Sequence, residues 1–159
     1  MEINYKPIGI INTPFKRKKG MPIQPAGAEG IKGTIELNPE YLNGLLDLDD
    51  FSHIYLIYHF HKSEGYKLQV KPFLDQNTHG VFATRAPNRP NPIGFSIVKL
   101  IHIEGNILEI ENVDMLDGTP LLDIKPFIPA FDFYATDKTG WMNYTKENLK
   151  NIKSDNRFL

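Results

Sequence analysis

Two arginines and two asparagines lie in a loop that prolines make rigid. Segment 80–95 has the sequence GVFATRAPNRPNPIGF, which contains Arg85, Asn88, Arg89 and Asn91. Each proline fixes φ and removes a backbone donor, and it drives the preceding residue towards extended geometry. A guanidinium binds carboxylates and phosphates through two parallel hydrogen bonds. The loop is therefore either a site that positions an anion or a rigid connector with solvated arginines.

Histidines on one predicted strand have the spacing of metal ligands. Residues 53–62, HIYLIYHFHK, are mostly aromatic and β-branched, which predicts a strand. Because side chains alternate between the two faces of a strand, His53, His59 and His61 share one face. His59 and His61 could together reach one ion. No obvious carboxylate partner lies near them in the sequence, so we favour a polar pocket lining and predict no metal.

Two aspartates flank a glycine-containing turn. Residues 114–120, DMLDGTP, follow a predicted strand and can expose backbone amides and carbonyls. Asp114 and Asp117 are candidates for ligand contact. Turn chemistry is the alternative for both aspartates, and Asp117 directly before Gly118 is typical of turns.

A basic run lies in a long irregular segment. Residues 13–30 contain KRKK at positions 16–19, followed by a stretch rich in proline and glycine. A loop of this length inside a compact domain is typical of a lid or a binding loop. The net charge of the chain is −1, so contact with nucleic acid depends on local clusters of this kind. The run either contacts RNA or is only solvated.

Many short strands with few helices predict a small, mainly β fold, an antiparallel β-barrel with short helices. The turn residues at 104–106 predict a hairpin between the strands on either side. Pro126 and Pro129 make the last strand a poor central one. Strands are expected over residues 5–12, 31–37, 53–62, 67–73, 81–82, 95–103, 107–113 and 121–127.

Two short helices are predicted outside the strands. Asn38 supplies an N-cap amide and Pro39 occupies the first helical position. A second helix is expected to begin at Thr145, and the end of the chain from Lys153 is expected to fray.

The composition excludes several classes of protein. The chain has 159 residues, of which 41% are hydrophobic, and this suits one domain with a buried core. It contains no cysteine, so disulfides, thiolate metal sites and cysteine nucleophiles are excluded. No targeting segment, membrane-spanning run or GxGxxG nucleotide motif is present in the sequence. We therefore expect a cytoplasmic protein without membrane association.

The blocks FATRAPNRPNPIGFS at residues 82–96 and DMLDGTPLLDIKPFIPAFD at residues 114–132 resemble the TsaA-like (TrmO-type) family. The best-known members of this family methylate N6-threonylcarbamoyladenosine beside the anticodon of tRNA. The segments IGIINTPFK and HIYLIYHFHK occur in the family's order. Ile23, Lys62 and Asn88 depart from the residues frequent in the family, and longer bacterial members continue into a second small domain.

The resemblance implies an S-adenosylmethionine-dependent tRNA methyltransferase that works as a homodimer. It implies a TsaA-like barrel domain over residues 1–138 and a C-terminal helical tail over residues 139–159. The alternatives are a non-catalytic RNA- or nucleotide-binding module and a metal-dependent hydrolase built on His59 and His61.

The same resemblance implies the site residues. Arg85 and Asp117 are the implied catalytic residues, and Arg89 and Asn91 the implied substrate contacts. By position in the resembled blocks, the candidates for accepting a proton are Asp114, Asp117, His59 and His61, and the sequence does not rank them. The implied contacts with S-adenosylmethionine are Pro22, Ile23, Gln24, His61, Lys62, Arg85, Phe95, Met115, Leu116, Asp117 and Gly118.

Overall fold

The computed structural model describes residues 1–142 and 151–155, and its main feature is a closed barrel. The strands are β1 (Gly9–Asn12), β2 (Lys32–Leu37), β3 (His53–His59), β4 (Gln69–Val70), β5 (His79–Gly80), β6 (Ile93–Glu104), β7 (Ile107–Glu111) and β8 (Thr119–Pro126). Six of them form the barrel in the order β1-β2-β7-β6-β3-β8, and β8 pairs with β1 to close it. All of these pairs are antiparallel. The predicted antiparallel β-barrel is confirmed.

The helical segments of the described residues are short and lie between or after the strands. None of them is long and apolar enough to cross a membrane. They are the 3-10 turns Pro25–Gly27, Pro39–Leu45, Leu48–Asp50 and Val81–Ala83, and the single-turn α-helix α1 (Pro129–Asp132).

The hydrophobic core fills the barrel because its strands alternate between an inner and an outer face. In β3, Ile54, Leu56 and Tyr58 are buried, while the residues between them stay half-exposed. In β6, Val98 and Leu100 are likewise buried. Burying one such aliphatic side chain contributes about 1.5–3 kcal/mol, so this face specifies the register of the two strands. The predicted alternation of β3 is confirmed.

One end of the barrel carries three long connections. In an antiparallel barrel, β1, β3 and β7 end where β2, β6 and β8 begin. Segments 13–31, 60–92 and 112–118 therefore all leave from this end, which we call the loop end. Every residue implied as a site residue lies on these segments, except Phe95, which is the third residue of β6. The topology thus gathers the candidate residues from distant parts of the sequence.

The hairpin prediction is confirmed, and two other strand predictions are wrong. β6 and β7 form the hairpin, in which Glu104 lies opposite Ile107. Residues 81–82 are not a strand but part of a 3-10 turn, in which Thr84 donates a backbone hydrogen bond to the carbonyl of Val81. β8 is not at an edge, because it lies between β1 and β3. Its prolines are its second and last residues, where few ladder hydrogen bonds are lost.

The segment after Asn38 differs from the predicted helix. It is a 3-10 helix, and the Asn38 side chain does not cap it. The Asn38 amide instead donates to the carbonyl of Pro7 at 3.2 Å, so the residue ties the N-terminal segment to this turn.

The tail differs in part from the prediction. Lys153 forms a bridge with Pro22, and the Ser154 backbone donates to the carbonyl of Met21 at 2.9 Å. The prediction that the chain frays from Lys153 is therefore wrong for residues 153–155, which contact segment 13–31. The helix predicted from Thr145 begins outside the described residues. The division into residues 1–138 and 139–159 stays a prediction.

Candidate active site

Arg85 joins three parts of the loop end. Its Nη1 donates a hydrogen bond to Oε1 of Gln24 at 2.6 Å. Its guanidinium carbon lies 4.9 Å from the centroid of the Phe95 ring, which is the distance of a cation–π contact. Arg85 is exposed and Phe95 keeps 48% of its surface accessible. Three of the implied cofactor residues, far apart in sequence, therefore meet on an accessible surface.

A hydrogen-bonded chain of three side chains runs from the barrel interior to this cluster. Ser96 Oγ donates to Oδ1 of Asp114 at 2.6 Å, and the hydroxyl of Tyr58 lies 3.0 Å from Ser96 Oγ. Because Ser96 has only one proton to give, Tyr58 is the donor to Ser96. Tyr58 and Ser96 are buried, and burial raises the pKa of Tyr58 far above its ordinary value. Tyr58 therefore stays protonated and remains a donor.

Asp114 is the acidic end of this chain. Burial raises the pKa of its carboxyl to about 6, against the opposing effects of the Ser96 hydrogen bond and the Arg85 charge. The sequence indicated Asp114 as a candidate but did not connect it with Tyr58 or Ser96. The available signal was the inward position of Tyr58 in β3, because a buried phenol must find a hydrogen-bond partner.

Gly94 makes room for the Tyr58 ring. A Cβ at this position would lie 2.4 Å from Cε2 of Tyr58 and 2.7 Å from Cζ of Phe60. Gly94 pairs directly with Tyr58 across β3 and β6, and the two rings pack edge-to-face at 5.5 Å. The absence of a side chain at Gly94 therefore determines where the Tyr58 hydroxyl can reach.

Asp117 is held by the end of β1. Its Oδ1 accepts from the backbone amide of Thr13 at 3.0 Å, and its Oδ2 accepts from Nζ of Lys16 at 2.5 Å. The Lys16 hydrogen bond is the main reason that the pKa of Asp117 lies below its ordinary value. A carboxylate with a lowered pKa is a weak proton acceptor. These contacts favour the turn role for Asp117, and its implied catalytic role stays a prediction.

A basic cleft of about 530 Å³ lies beside Asp117. Burial, together with the neighbouring Lys62 and His59, lowers the pKa of His61, so its imidazole is neutral near pH 7. Thr119 Oγ1 lies 3.5 Å from Nδ1 of His61. The cleft brings together further implied cofactor residues with the basic run, and it is lined by Lys16, Arg17, Lys18, Lys19, His61, Lys62, Leu116 and Asp117.

Several implied cofactor residues are not free to offer a side chain. Met115 is 3% exposed and belongs to the barrel core, and its carbonyl accepts from Thr13 Oγ1 at 2.9 Å. Pro22 is buried at the bridge to the tail, whereas Ile23 beside it is half-buried. Gly118 has a φ of 73°, a conformation that favours glycine. These residues shape the loop end, and any contact of Met115 or Gly118 with a ligand would use backbone atoms.

The side chains of the proline-rich loop partly hold the loop itself. Arg89 Nη1 donates to the carbonyls of Thr84 and Ala86 at 3.3 and 3.5 Å. Asn91, the other implied substrate contact, is exposed. Arg89 is therefore a loop-stabilising residue in this structure, and its contact with a substrate stays a prediction.

The described residues provide no site for a metal with three protein ligands. Among residues 1–142 and 151–155, no group of three His, Asp or Glu side chains could hold an ion. His59 lies close enough to His61 for its charge to lower the pKa of His61. The structure brings Asp117 near His61. This arrangement does not favour the metal-dependent hydrolase.

A known protein family matches most of the chain. A family model described as the tRNA-methyltransferase O N-terminal domain matches residues 10–133. The chain belongs to this family. The resemblance to the TsaA-like (TrmO-type) family is thereby confirmed.

Individual relatives of this chain agree with the family match. A probable S-adenosyl-L-methionine-binding protein of Pyrococcus abyssi is 53% identical over 157 residues, which are 99% of this chain and 85% of that protein. The tRNA (adenine(37)-N6)-methyltransferase of Mus musculus is 40% identical over 136 residues, covering 80% of this chain and 31% of the mouse protein.

Solved structures support the same fold. The crystal structure of TrmO from Pseudomonas aeruginosa matches with a TM-score of 0.76 and 38% identity, covering 90% of this chain and 64% of that chain. The present chain thus spans less than two thirds of the Pseudomonas and mouse proteins.

Proposed function

We propose that this protein transfers a methyl group from S-adenosylmethionine to N6 of N6-threonylcarbamoyladenosine at position 37 of tRNA, next to the anticodon. The observation that carries the proposal is the contact of Arg85 with Gln24 and Phe95, because it unites three implied cofactor residues on an accessible surface. The names of two relatives support the chemistry, since one refers to binding of S-adenosyl-L-methionine and the other to methylation of adenine 37.

The residues at the loop end fit S-adenosylmethionine. This cofactor supplies an electrophilic methyl group on a sulfonium. The half-exposed ring of Phe95 offers a face for a cationic or aromatic group, and Gln24 offers an amide beside it. In the basic cleft, Asp117 can pair with the cofactor's ammonium and Lys62 with its carboxylate. The cleft volume of about 530 Å³ suits a ligand of this size.

The charges around the cleft support an RNA substrate. The chain has a net charge of −1, yet the cleft lining is dominated by basic residues of the run at 16–19 and by Lys62. Such local clusters bind phosphates by neutralising charge and releasing counterions. N6-threonylcarbamoyladenosine also carries a carboxylate on its threonyl group. The exposed guanidinium of Arg85 can recognise this carboxylate, which unmodified adenosine lacks.

We also propose that the protein is a homodimer. Phe131, Phe133 and Tyr134 are 68%, 78% and 77% exposed, and they form an apolar segment after β8. A second copy could cover this surface. Sedimentation at micromolar concentration is expected to show a dimer, and a monomer at every concentration would contradict the proposal. The cytoplasmic location stays a prediction.

Incubation with labelled S-adenosylmethionine and tRNA tests the activity. One tRNA pool contains the threonylcarbamoyl modification, and a second pool comes from cells that cannot make it. Nucleoside analysis is expected to find label in methylated N6-threonylcarbamoyladenosine from the first pool alone. Label on adenosine 37 of the second pool would overturn the proposed substrate.

The basic cleft also favours a second candidate, a non-catalytic RNA-binding module. Thermal melting separates the two. A methyltransferase is expected to melt at higher temperature with S-adenosylmethionine, whereas a pure RNA-binding module would respond to RNA alone. RNA binding without any incorporated label would favour the module.

A further inference from the structure

The chain Tyr58–Ser96–Asp114 places polar groups next to buried apolar side chains of the barrel. Tyr58 is 4% exposed and Ser96 is 2% exposed, and their neighbours on the inner faces of β3 and β6 include Leu56 and Val98. Burying a hydroxyl is unfavourable unless its hydrogen bonds are satisfied. Here the hydroxyls hydrogen-bond to each other, and Ser96 also hydrogen-bonds to Asp114. The two buried residues therefore act together on one carboxylate at the edge of the candidate site.

The direction of these hydrogen bonds affects the ionisation of Asp114. Tyr58 donates to Ser96, and Ser96 donates to Asp114, so every donor in the chain points at the carboxylate. Donors of this kind stabilise the ionised form of an acid. The carboxylate also lies close enough to Arg85 for the guanidinium charge to act on it. Asp114 is therefore held as an acceptor beside the cluster that the proposed cofactor would occupy.

We propose that Asp114 is the catalytic base of the methyl transfer, and that Ser96 and Tyr58 are positioning residues that hold its carboxylate and adjust its basicity. This inference rests on the proposed function, in which N6 carries a carbamoyl group. The N6–H of such a group is amide-like, so the nitrogen is a poor nucleophile until it loses its proton.

The step is balanced without any further reactant. An oxygen of Asp114 takes the proton from N6, and the nitrogen electron pair forms the new bond to the methyl carbon. The bond between carbon and sulfur breaks, and its electron pair returns to the sulfur, which becomes a neutral thioether. Protonated Asp114 then gives its proton to water. The products are the demethylated cofactor and N6-methylated threonylcarbamoyladenosine.

Asp114 suits this role better than Asp117 and His61. Asp117 is engaged by the Thr13 amide and by Lys16, and the Lys16 hydrogen bond lowers its pKa. The pKa of His61 is lowered mainly by burial. Burial instead raises the pKa of Asp114 to about 6, and a base is most effective when its pKa lies near the working pH. The titratable groups that face Asp114 are Arg85, whose charge lowers its pKa, and Tyr58, which stays neutral.

Single-turnover rates measured against pH test the inference with tRNA that carries the threonylcarbamoyl group. The wild-type rate is expected to fall on the acidic side with an apparent pKa near 6. Ser96→Ala removes the direct donor, so the acidic limb is expected to move to higher pH, with a smaller move for Tyr58→Phe. Asp114→Asn is expected to lose about 10²- to 10⁴-fold in rate. Its affinity for S-adenosylmethionine is expected to stay within a few-fold of wild type.

Matched controls separate this effect from a general change in folding. Ser52→Ala and Tyr55→Phe repeat the same chemical changes away from the loop end, since Ser52 contacts His53 and Tyr55 packs against Phe127. Both are expected to keep the wild-type pH profile. Thermal melting checks that every variant is folded. Asp114→Glu keeps a carboxylate. If Asp114→Asn loses rate because it lacks a carboxylate, Asp114→Glu is expected to retain part of that rate.

A second measurement needs no activity. Carboxyl-carbon NMR of the protein alone, with labelled aspartate, follows the Asp114 titration directly. Its pKa is expected to rise in Ser96→Ala and to remain unchanged in Ser52→Ala. An Asp114→Asn variant with the wild-type turnover rate would overturn the inference. An Asp114 pKa that stays unchanged in Ser96→Ala would also overturn it. A wild-type protein that never methylates the modified tRNA would instead overturn the proposed function.

Discussion

The guanidinium carbon of Arg85 lies 4.9 Å from the centroid of the Phe95 ring, so the proline-rich loop is joined to the beginning of β6 at an accessible surface. The same guanidinium holds Gln24 of segment 13–31. Arg85 therefore organises the proposed cofactor site by contacts with two other segments, besides carrying a charge of its own.

Removal of Arg85 is expected to weaken binding of both S-adenosylmethionine and tRNA. Arg85→Ala loses the hydrogen bond to Gln24, the contact with Phe95 and the charge. Arg85→Lys keeps the charge, and loss of an exposed cation–π contact of about 0.5–1 kcal/mol predicts a cofactor Kd roughly two- to fivefold higher. Calorimetry measures both affinities. Lys125→Ala, at the opposite end of β8, is the control, and an Arg85→Ala variant with wild-type affinities would contradict this role.

The basic run is expected to contact RNA phosphates. Arg17 and Lys19 are exposed and line the cleft. The double variant Arg17→Ala, Lys19→Ala is expected to bind tRNA more weakly and to reduce the dependence of log K on log salt by about one for each lost phosphate contact. Filter binding between low and high salt measures this slope. The double variant Lys99→Ala, Lys125→Ala removes the same charge elsewhere, and an equal effect in both variants would show only a net-charge effect.

Asp117 is expected to stabilise the fold in a pH-dependent manner. Its pKa is lowered in the folded protein, mainly by Lys16, so its contribution to stability is present above the pKa of the unfolded chain and is lost as the pH falls through the folded value. Asp117→Asn is therefore expected to be less stable than wild type at pH 7, with a difference that shrinks towards pH 3. Urea unfolding at several pH values measures this. Asp49→Asn, an exposed change in the 3-10 turn Leu48–Asp50, is the control. A difference that stays constant with pH would contradict the Lys16 contact.

Arg89 is expected to hold the loop together in addition to any role in binding RNA. Its two hydrogen bonds to the carbonyls of Thr84 and Ala86 are long, so their combined net contribution is about 1 kcal/mol. Arg89→Ala is expected to increase hydrogen exchange across residues 84–89 and to weaken both cofactor and tRNA binding. Asn91→Ala, an exposed change in the same loop, is expected to leave that exchange unchanged. An Arg89→Ala variant that loses only RNA affinity would indicate a pure substrate contact.

Gly94→Ala is expected to disturb the position of Tyr58. The new Cβ would lie 2.4 Å from Cε2 of Tyr58, and overpacking of this kind costs about 1–3 kcal/mol. Denaturant unfolding is expected to show this loss, and carboxyl NMR a higher pKa for Asp114 as its hydrogen-bonded chain loosens. Gly44→Ala is the matched control, because a Cβ added there would meet nothing within 4 Å beyond its own chain neighbours. Equal stability of the two variants would mean that the Tyr58 ring moves without cost.

The barrel and the family could be inferred from the sequence because their signals are local. The inward face of β3 follows from alternation along seven residues, and the β6–β7 hairpin follows from Gly105 and its neighbours in the turn. The blocks at 82–96 and 114–132 are continuous and carry the resemblance by themselves. The expectation that β8 would be a poor central strand was wrong because closure of the barrel depends on its pairing with β1, more than a hundred residues earlier.

Only the tertiary structure decided how the candidate residues differ in chemistry. Asp114 and Asp117 lie three residues apart in one turn, yet their pKa values shift in opposite directions. Asp117 meets Lys16 of segment 13–31, whereas Asp114 is half-buried beside Ser96 of β6, which in turn contacts the Tyr58 hydroxyl of β3. Residue type and spacing in this turn carry no information about the burial of its two aspartates or about partners brought from other strands. The pKa of a carboxyl depends on both, and so the sequence alone determined the set of candidates, whereas the fold determined the environment and the pKa shift of each aspartate.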